Sequence, residues 1–228
     1  MRQTNIVLAK NSLLEAIANT FSEKPDLDLF VHKFNRLPAR FRTSKRWYDN
    51  PHTLLGVLAE YHVNQRISRF AARIKNVTYL NRKAQTRTYR FIVNYTGAIT
   101  VLSRSRGQTP PQYKTIGDYD ALFVADGLPT IVESKLKGAP SKGCQRVNSI
   151  INKDRNKLFH PLKEYFGKSP ALYAGKFGFI IVTYPANLNP KAPVHHKFRE
   201  DNGLLVPFYA DRDKFYDDVL RILPRLKR

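Results

Sequence analysis

The chain has 228 residues, 42% hydrophobic and 25% charged, which is enough to bury one core without disulfides or metals. Its 39 Lys and Arg against 18 Asp and Glu leave a formal charge of +21, so it is expected to collect on polyanions. A single cysteine, Cys144, excludes a disulfide framework, the longest apolar run is strand-sized, and the N-terminus lacks the apolar stretch of a signal peptide. Together these features predict a soluble, cytoplasmic protein with no membrane partner.

In chain order, residues 11–23 read as a helix, from apolar Leu13, Leu14, Ile17, Ala18 and Phe21. Residues 24–50 are basic, are punctuated by Pro25 and Pro38, and leave room for a short helix. Asn50-Pro51 supplies a cap and a first-turn proline, opening a helix that runs to about Ile74. Val77 to Arg106 alternates and is rich in Thr, Tyr, Val and Ile, which predicts a hairpin or two strands turning near Tyr95-Thr96-Gly97. Ile116 to Val124 and Thr130 to Ser134 read as strands, joined by the turn Asp126-Gly127-Leu128-Pro129. Lys142 to about Phe159 reads as a polar-faced helix that Pro161 interrupts. Phe177 to Tyr184 reads as a buried strand, Leu204 to Tyr209 as a short one, and Asp211 to Leu223 as a closing helix. Strands and helices in this order predict an α/β or α+β sheet with helices on both faces.

The acids are unevenly spread. Tyr61 to Gly117 contains none, yet holds eleven bases, among them Arg104, Arg106 and Lys114. Leu29 to Tyr48 is also acid-free and carries Arg40, Arg42, Lys45 and Arg46, interleaved with Phe41, Trp47 and Tyr48. Cations that reach phosphates release counterions, and Arg also forks onto guanine edges, so nucleic acid is the expected partner. Those bases, with Lys137, Lys142 and Gln145 beyond the central hairpin, are the expected nucleic-acid contacts. Gly167-Lys168-Ser169 does not make a phosphate-binding loop, because Leu162 stands where that loop needs glycine.

The central hairpin, Ile116 to Lys135, carries the chemistry. Side chains alternate along a strand, so Asp118, Asp120, Leu122 and Val124 are expected on one face, and Glu133 with Lys135 on a face of the next strand. If the turn pairs the strands, Asp120 and Glu133 come from neighbouring strands near one sheet edge. Like charges that close repel unless a cation sits between them. Oxygen ligands of this kind suit Mg²⁺, and Lys135 then stands ready to assist the attacking water or steady the phosphate.

Asp120, a thirteen-residue step, and Glu133-Ser134-Lys135 resemble the PD-(D/E)XK nuclease motif, although Asp118-Tyr119 stand before the acid with no proline. The resemblance covers roughly residues 50–184. It implies an α/β fold with a restriction-endonuclease-like core, a mixed central sheet flanked by helices. It also implies a further metal-site Glu on the preceding helix. Glu60 matches that position and shares its helix face with Gly56, Val57, Val63 and Ile67, where a carboxylate needs a partner. Residues 1–50 are then an N-terminal helical, basic extension, and residues 51–228 the nuclease-like catalytic domain. The activity implied is a Mg²⁺-dependent endonuclease acting on DNA, with Mn²⁺ as a substitute metal. Within the family, a type II restriction-like enzyme leads over a Holliday-junction resolvase or repair nuclease. A homodimer is the simplest way to cut both strands of a duplex. An RNA substrate and a non-catalytic basic DNA- or RNA-binding protein are the alternatives.

Overall fold

The structure is a computed structural model, and it describes residues 13–39, 50–105, 107, 109–136, 159–167, 177–188 and 203–226. Helical residues 13–19 (α1) run into a 3-10 turn, Thr20–Ser22. Helices α2 (Leu27–Asn35) and α3 (His52–Ala71) follow. The strands are β1 (Val77–Tyr79), β2 (Ala84–Gln85), β3 (Tyr89–Val93), β4 (Ile99–Arg104), β5 (Tyr113–Tyr119), β6 (Ala121–Ala125) and β7 (Leu128–Ser134). Helical residues 159–166 (α4) precede β8 (Gly178–Thr183), β9 (Gly203–Pro207) and the closing helix α5 (Arg212–Ile222).

α3 starts one residue later than the sequence implies, with Pro51 at the cap position; Asn50 Oδ1 accepts from the His52 amide at 3.2 Å, and the Asn50 carbonyl accepts from the Thr53 amide at 3.0 Å. The strands form two sheets, making an α/β protein. One is a mixed five-stranded sheet of order β1-β6-β7-β8-β9, antiparallel through β7 and parallel from β7 to β9. The other is a four-stranded antiparallel sheet of order β2-β3-β4-β5.

Alternation along the large sheet divides two cores. Ala121, Phe123, Val132, Ile180, Val182 and Val206 face a helical layer with Leu14, Ile17, Phe21, Phe30, Phe34, Leu58, Ile67, Phe215 and Val219. Residues of α1 and α2 therefore share one core with α3, α5 and the sheet. On the other face Leu122, Ile131, Phe179 and Ile181 meet Phe91, Ile99, Val101 and Tyr119 of the small sheet and Leu162 of α4. Helices thus cover one face, whereas the second face is covered by a sheet together with α4. Fully burying one such side chain stabilises the fold by about 1.5–3 kcal/mol before entropy is counted.

Two sequence expectations need correction. Val77 to Arg106 is not one hairpin: it contains four strands, because β1 leaves to pair with β6 while β2 to β4 pair among themselves. Ile116 to Val124 is not one strand: the chain bends at Asp120, and β5 and β6 lie in different sheets. Asp118 consequently does not share a face with Asp120, and it instead accepts from the Thr100 hydroxyl at 2.6 Å on the small sheet. The helix expected from Lys142 to about Phe159 lies, but for its last residue, outside the described residues, and residues 159–166 are helical across Pro161.

Candidate active site

The turn between β6 and β7 is two residues long, and both have positive φ, Asp126 at 48° and Gly127 at 76°. Asp-Gly suits this twist because both residues tolerate the left-handed region. The turn fixes a register from Ala125↔Leu128 to Ala121↔Val132. One step further along that register, Asp120 stands opposite Glu133. Pro129 is tolerated near the strand start because pairing with β8 begins only at Thr130.

Asp120 occupies the bend where the chain passes from the small sheet to the large one. Its Oδ2 accepts from the Ser134 amide at 2.5 Å, and its carbonyl accepts from Asn64 Nδ2 at 2.7 Å. Glu133 is buried, at 6% exposure, and forms an ion pair with the Lys135 ammonium. The Lys135 backbone is fixed to β8. Its amide donates to the Val182 carbonyl at 2.8 Å, and its carbonyl accepts from the Thr183 hydroxyl at 2.9 Å.

Glu60 arrives from α3, and its Oε2 accepts from the Thr96 hydroxyl at 2.9 Å. Thr96 lies in the β3–β4 turn. Asn64, one helical turn beyond Glu60, donates to the Glu60 carbonyl at 2.9 Å as well as to Asp120, and accepts from the Tyr79 hydroxyl. One amide side chain therefore ties α3, β1 and the Asp120 bend together. The β3–β4 turn approaches closely enough that only glycine fits at position 97. Gly97 has φ 99°, and a Cβ there would stand 2.5 Å from Asn64 Cγ.

Burial pushes the Glu60 carboxyl up to about 7, with the negative charges of Asp120 and then Glu133 adding to the rise. The Thr96 hydrogen bond and the Lys135 ammonium act in the opposite direction. Three acids from α3, the Asp120 bend and β7 thus share one field, with one ammonium among them. Their all-oxygen chemistry suits a hard divalent ion such as Mg²⁺. Among the described residues, however, no group of three or more His, Cys, Asp or Glu side chains stands in a metal-holding arrangement. The donors fit the ion in kind, while Lys135, Thr96 and the Ser134 amide occupy oxygens that it would take.

A groove of about 990 Å³ opens beside Lys135 and Ser134, walled by His52, Thr53 and Gly56 at the start of α3 and by Arg212 at the start of α5. The His52 ring stacks on Tyr216, with centroids 4.5 Å apart.

The structure therefore brings Glu60, Asp120, Glu133 and Lys135 together. Arg104 and Lys114 lie on the small sheet and are exposed. Arg40, Arg42, Lys45, Arg46, Arg106, Lys137, Lys142 and Gln145 lie outside the described residues. Sequence reasoning missed Asn64 and Thr96. Asn64 had one signal, a polar residue four positions after Glu60 and hence on the same helix face. Thr96 had none beyond its place in a turn. No helix among the described residues is long and apolar enough to cross a membrane. Comparisons with protein-family models, curated proteins and solved structures return no match for this chain.

Proposed function

We propose that this chain is a Mg²⁺-dependent endonuclease that hydrolyses DNA phosphodiester bonds, with Mn²⁺ as a substitute metal and a PD-(D/E)XK arrangement of its site. The observation that carries this reading is the convergence of Glu60 from α3, Asp120 at the bend and Glu133 of β7 around one ammonium, Lys135. Plain structure gains nothing from gathering three carboxylates, whereas a divalent ion is stabilised by them. The order of elements supports it too: a helix bearing Glu60, a hairpin bearing Asp120 and Glu133, then a strand parallel to the second hairpin strand. The net charge of +21 suits a polyanionic substrate.

In this mechanism Asp120 and Glu133 would hold the ion, with Glu60 as a third oxygen donor. A bound divalent ion lowers the pKa of its water and offsets charge on the phosphate. Lys135 keeps a cation beside the carboxylates, where it steadies the oxygen charge that builds up as water attacks in line. Thr96 orients Glu60, and Asn64 holds the backbone of Asp120, so both are positioning residues. A type II restriction-like role with a two-fold dimer is the form we favour. A junction resolvase or repair nuclease would use the same side chains.

Incubating supercoiled plasmid with the protein and Mg²⁺ tests the reading. Nicking or linearisation is expected, blocked by EDTA and abolished by Asp120→Ala and by Lys135→Ala, with salt-sensitive DNA binding retained. Normal cutting by both variants would refute the site. Binding without cutting of any DNA or RNA form would favour a non-catalytic nucleic-acid-binding protein, for which the Lys135–Glu133 ion pair is simple charge neutralisation.

A further inference from the structure

The bases of this protein are handled differently in its two layers. In the helical layer several are paired: Arg66 with Glu23, Arg69 with Asp26, Arg225 with Asp28, and both Lys24 and Arg221 with Asp218. On the small sheet no such ion pair is found among the described residues. Residues 80–119 hold Arg82, Lys83, Arg87, Arg90, Arg104, Arg106 and Lys114 against one acid, Asp118. Among the described residues none of these bases forms an ion pair with an acid, and Asp118 is engaged by Thr100.

Register shows which of them act together. Arg90 pairs with Leu102, and Arg104, two residues on, pairs with Tyr113, so Arg90, Arg104 and Tyr113 lie on one face. That face is the outer one, because the alternate residues Phe91, Val101 and Tyr119 are buried against the large sheet. Arg90 and Arg104 are exposed, and the Arg90 guanidinium lies 5.7 Å from the Tyr113 ring centroid. Thr115 is exposed on the same face. Packing Arg90 over Tyr113 holds its charge outward at reduced entropic cost. Asp118, the one acid on these strands, sits at the end of the sheet nearest the carboxylates, and Glu164 of α4 accepts from the Thr88 amide at 2.9 Å at the other end, where the bases still outnumber it.

We propose that the outer face of the β2–β5 sheet is a docking surface for the phosphate backbone of duplex DNA flanking the cut. This rests on the nuclease reading for the position of the cut, but binding itself does not require catalysis. Arg90 and Arg104 contact phosphates directly. Asp120 lies seven residues beyond Tyr113, and at roughly 3.3 Å per strand residue these contacts lie about 20 Å from the carboxylates. That corresponds to about six base pairs of flank, at about 3.4 Å per phosphate along a strand. The lone ring on this face is already covered by Arg90, so duplex backbone rather than stacked single-stranded bases is the ligand it suits.

The test is the double reversal Arg90→Glu/Arg104→Glu, which touches exposed side chains only, with a thermal melt to verify the fold. Binding of fluorescent duplexes is measured by anisotropy, without divalent metal, from 50 to 300 mM NaCl. On a duplex with 12 base pairs on each side of its centre, the variant is expected to bind at least about tenfold more weakly at 0.1 M salt. The slope of log affinity against log salt should fall by about two, one per phosphate contact. On a duplex with arms of four base pairs, wild type and variant should differ by less than about threefold. The milder Arg90→Gln/Arg104→Gln should fall between if the reversal perturbs folding. Unchanged affinity and slope on the long duplex overturn the proposal, as does a loss confined to vesicles of anionic phospholipid. A reduced slope in a protein that never cuts leaves the docking surface standing and removes the nuclease reading. Cutting with an unchanged slope does the reverse.

Discussion

Replacing Glu60 by Gln should stabilise the protein at alkaline pH while abolishing metal-dependent cutting. Glu60 is raised from 4.5 to about 7, chiefly by burial and then by Asp120. A raised carboxyl pKa means that the native state binds the proton more tightly than the unfolded chain does. That contribution is fully present below pH 4.5 and is lost as pH rises through 7. A shift of roughly 2.5 units corresponds to about 3 kcal/mol, and partial exposure of the group lowers the working figure to about 2 kcal/mol. Gln is neutral at every pH, and its amide oxygen still accepts from the Thr96 hydroxyl. Urea denaturation of wild type and Glu60→Gln at pH 4, 7 and 8.5 should therefore give near-equal stabilities at pH 4 and a gap of about 2 kcal/mol in favour of the variant at pH 8.5. Added Mg²⁺ should narrow that gap by stabilising only the wild type. Equal stabilities at all three pH values, or a variant less stable at pH 8.5, would refute the idea that burial and the neighbouring acids raise Glu60.

Asn64→Leu keeps the volume but leaves the Asp120 carbonyl and the Tyr79 hydroxyl without their amide partner. It should lose about 1–3 kcal/mol for each group left dry, read by urea denaturation, and plasmid nicking should slow with it. Gly97→Ala requires a positive φ and a Cβ 2.5 Å from Asn64 Cγ, so it should destabilise by more than about 1 kcal/mol and weaken the hold of Thr96 on Glu60. His62 is fully buried, its Nε2 donates to the Phe21 carbonyl at 3.1 Å, and burial lowers it to about 4. Because the unfolded ring takes a proton at about 6.5, stability in the Glu60→Gln background should fall by up to about 3 kcal/mol between pH 6.5 and pH 4. A flat urea profile over that range would contradict it.

Several features of the site were legible in the residues alone. Asp126-Gly127 specified a hairpin, and the hairpin specified that Asp120 and Glu133 face one another. Glu60 stood out because a carboxylate in an apolar helix stripe needs a reason. What was not legible came from partner choice. No proline interrupts Ile116 to Val124, and nothing local says that Asp120 divides two sheets, since that depends on β5 pairing with β4 and β6 with β7. The three residues of β1 and the two of β2 are too short for periodicity to register. Thr96 and Asn64 acquire their roles only when the β3–β4 turn closes on α3, a tertiary contact with no sequence period. The pairing of bases with acids in the helical layer, and its absence on the small sheet, is likewise invisible in a charge count.

The most direct measurement is anomalous diffraction from crystals soaked in Mn²⁺ at pH 8, where Glu60 is ionised. An anomalous peak within bonding distance of both Asp120 and Glu133 is expected, with the Lys135 ammonium displaced from Glu133. No peak there at millimolar Mn²⁺, with Lys135 still paired to Glu133, would contradict the hydrolase reading.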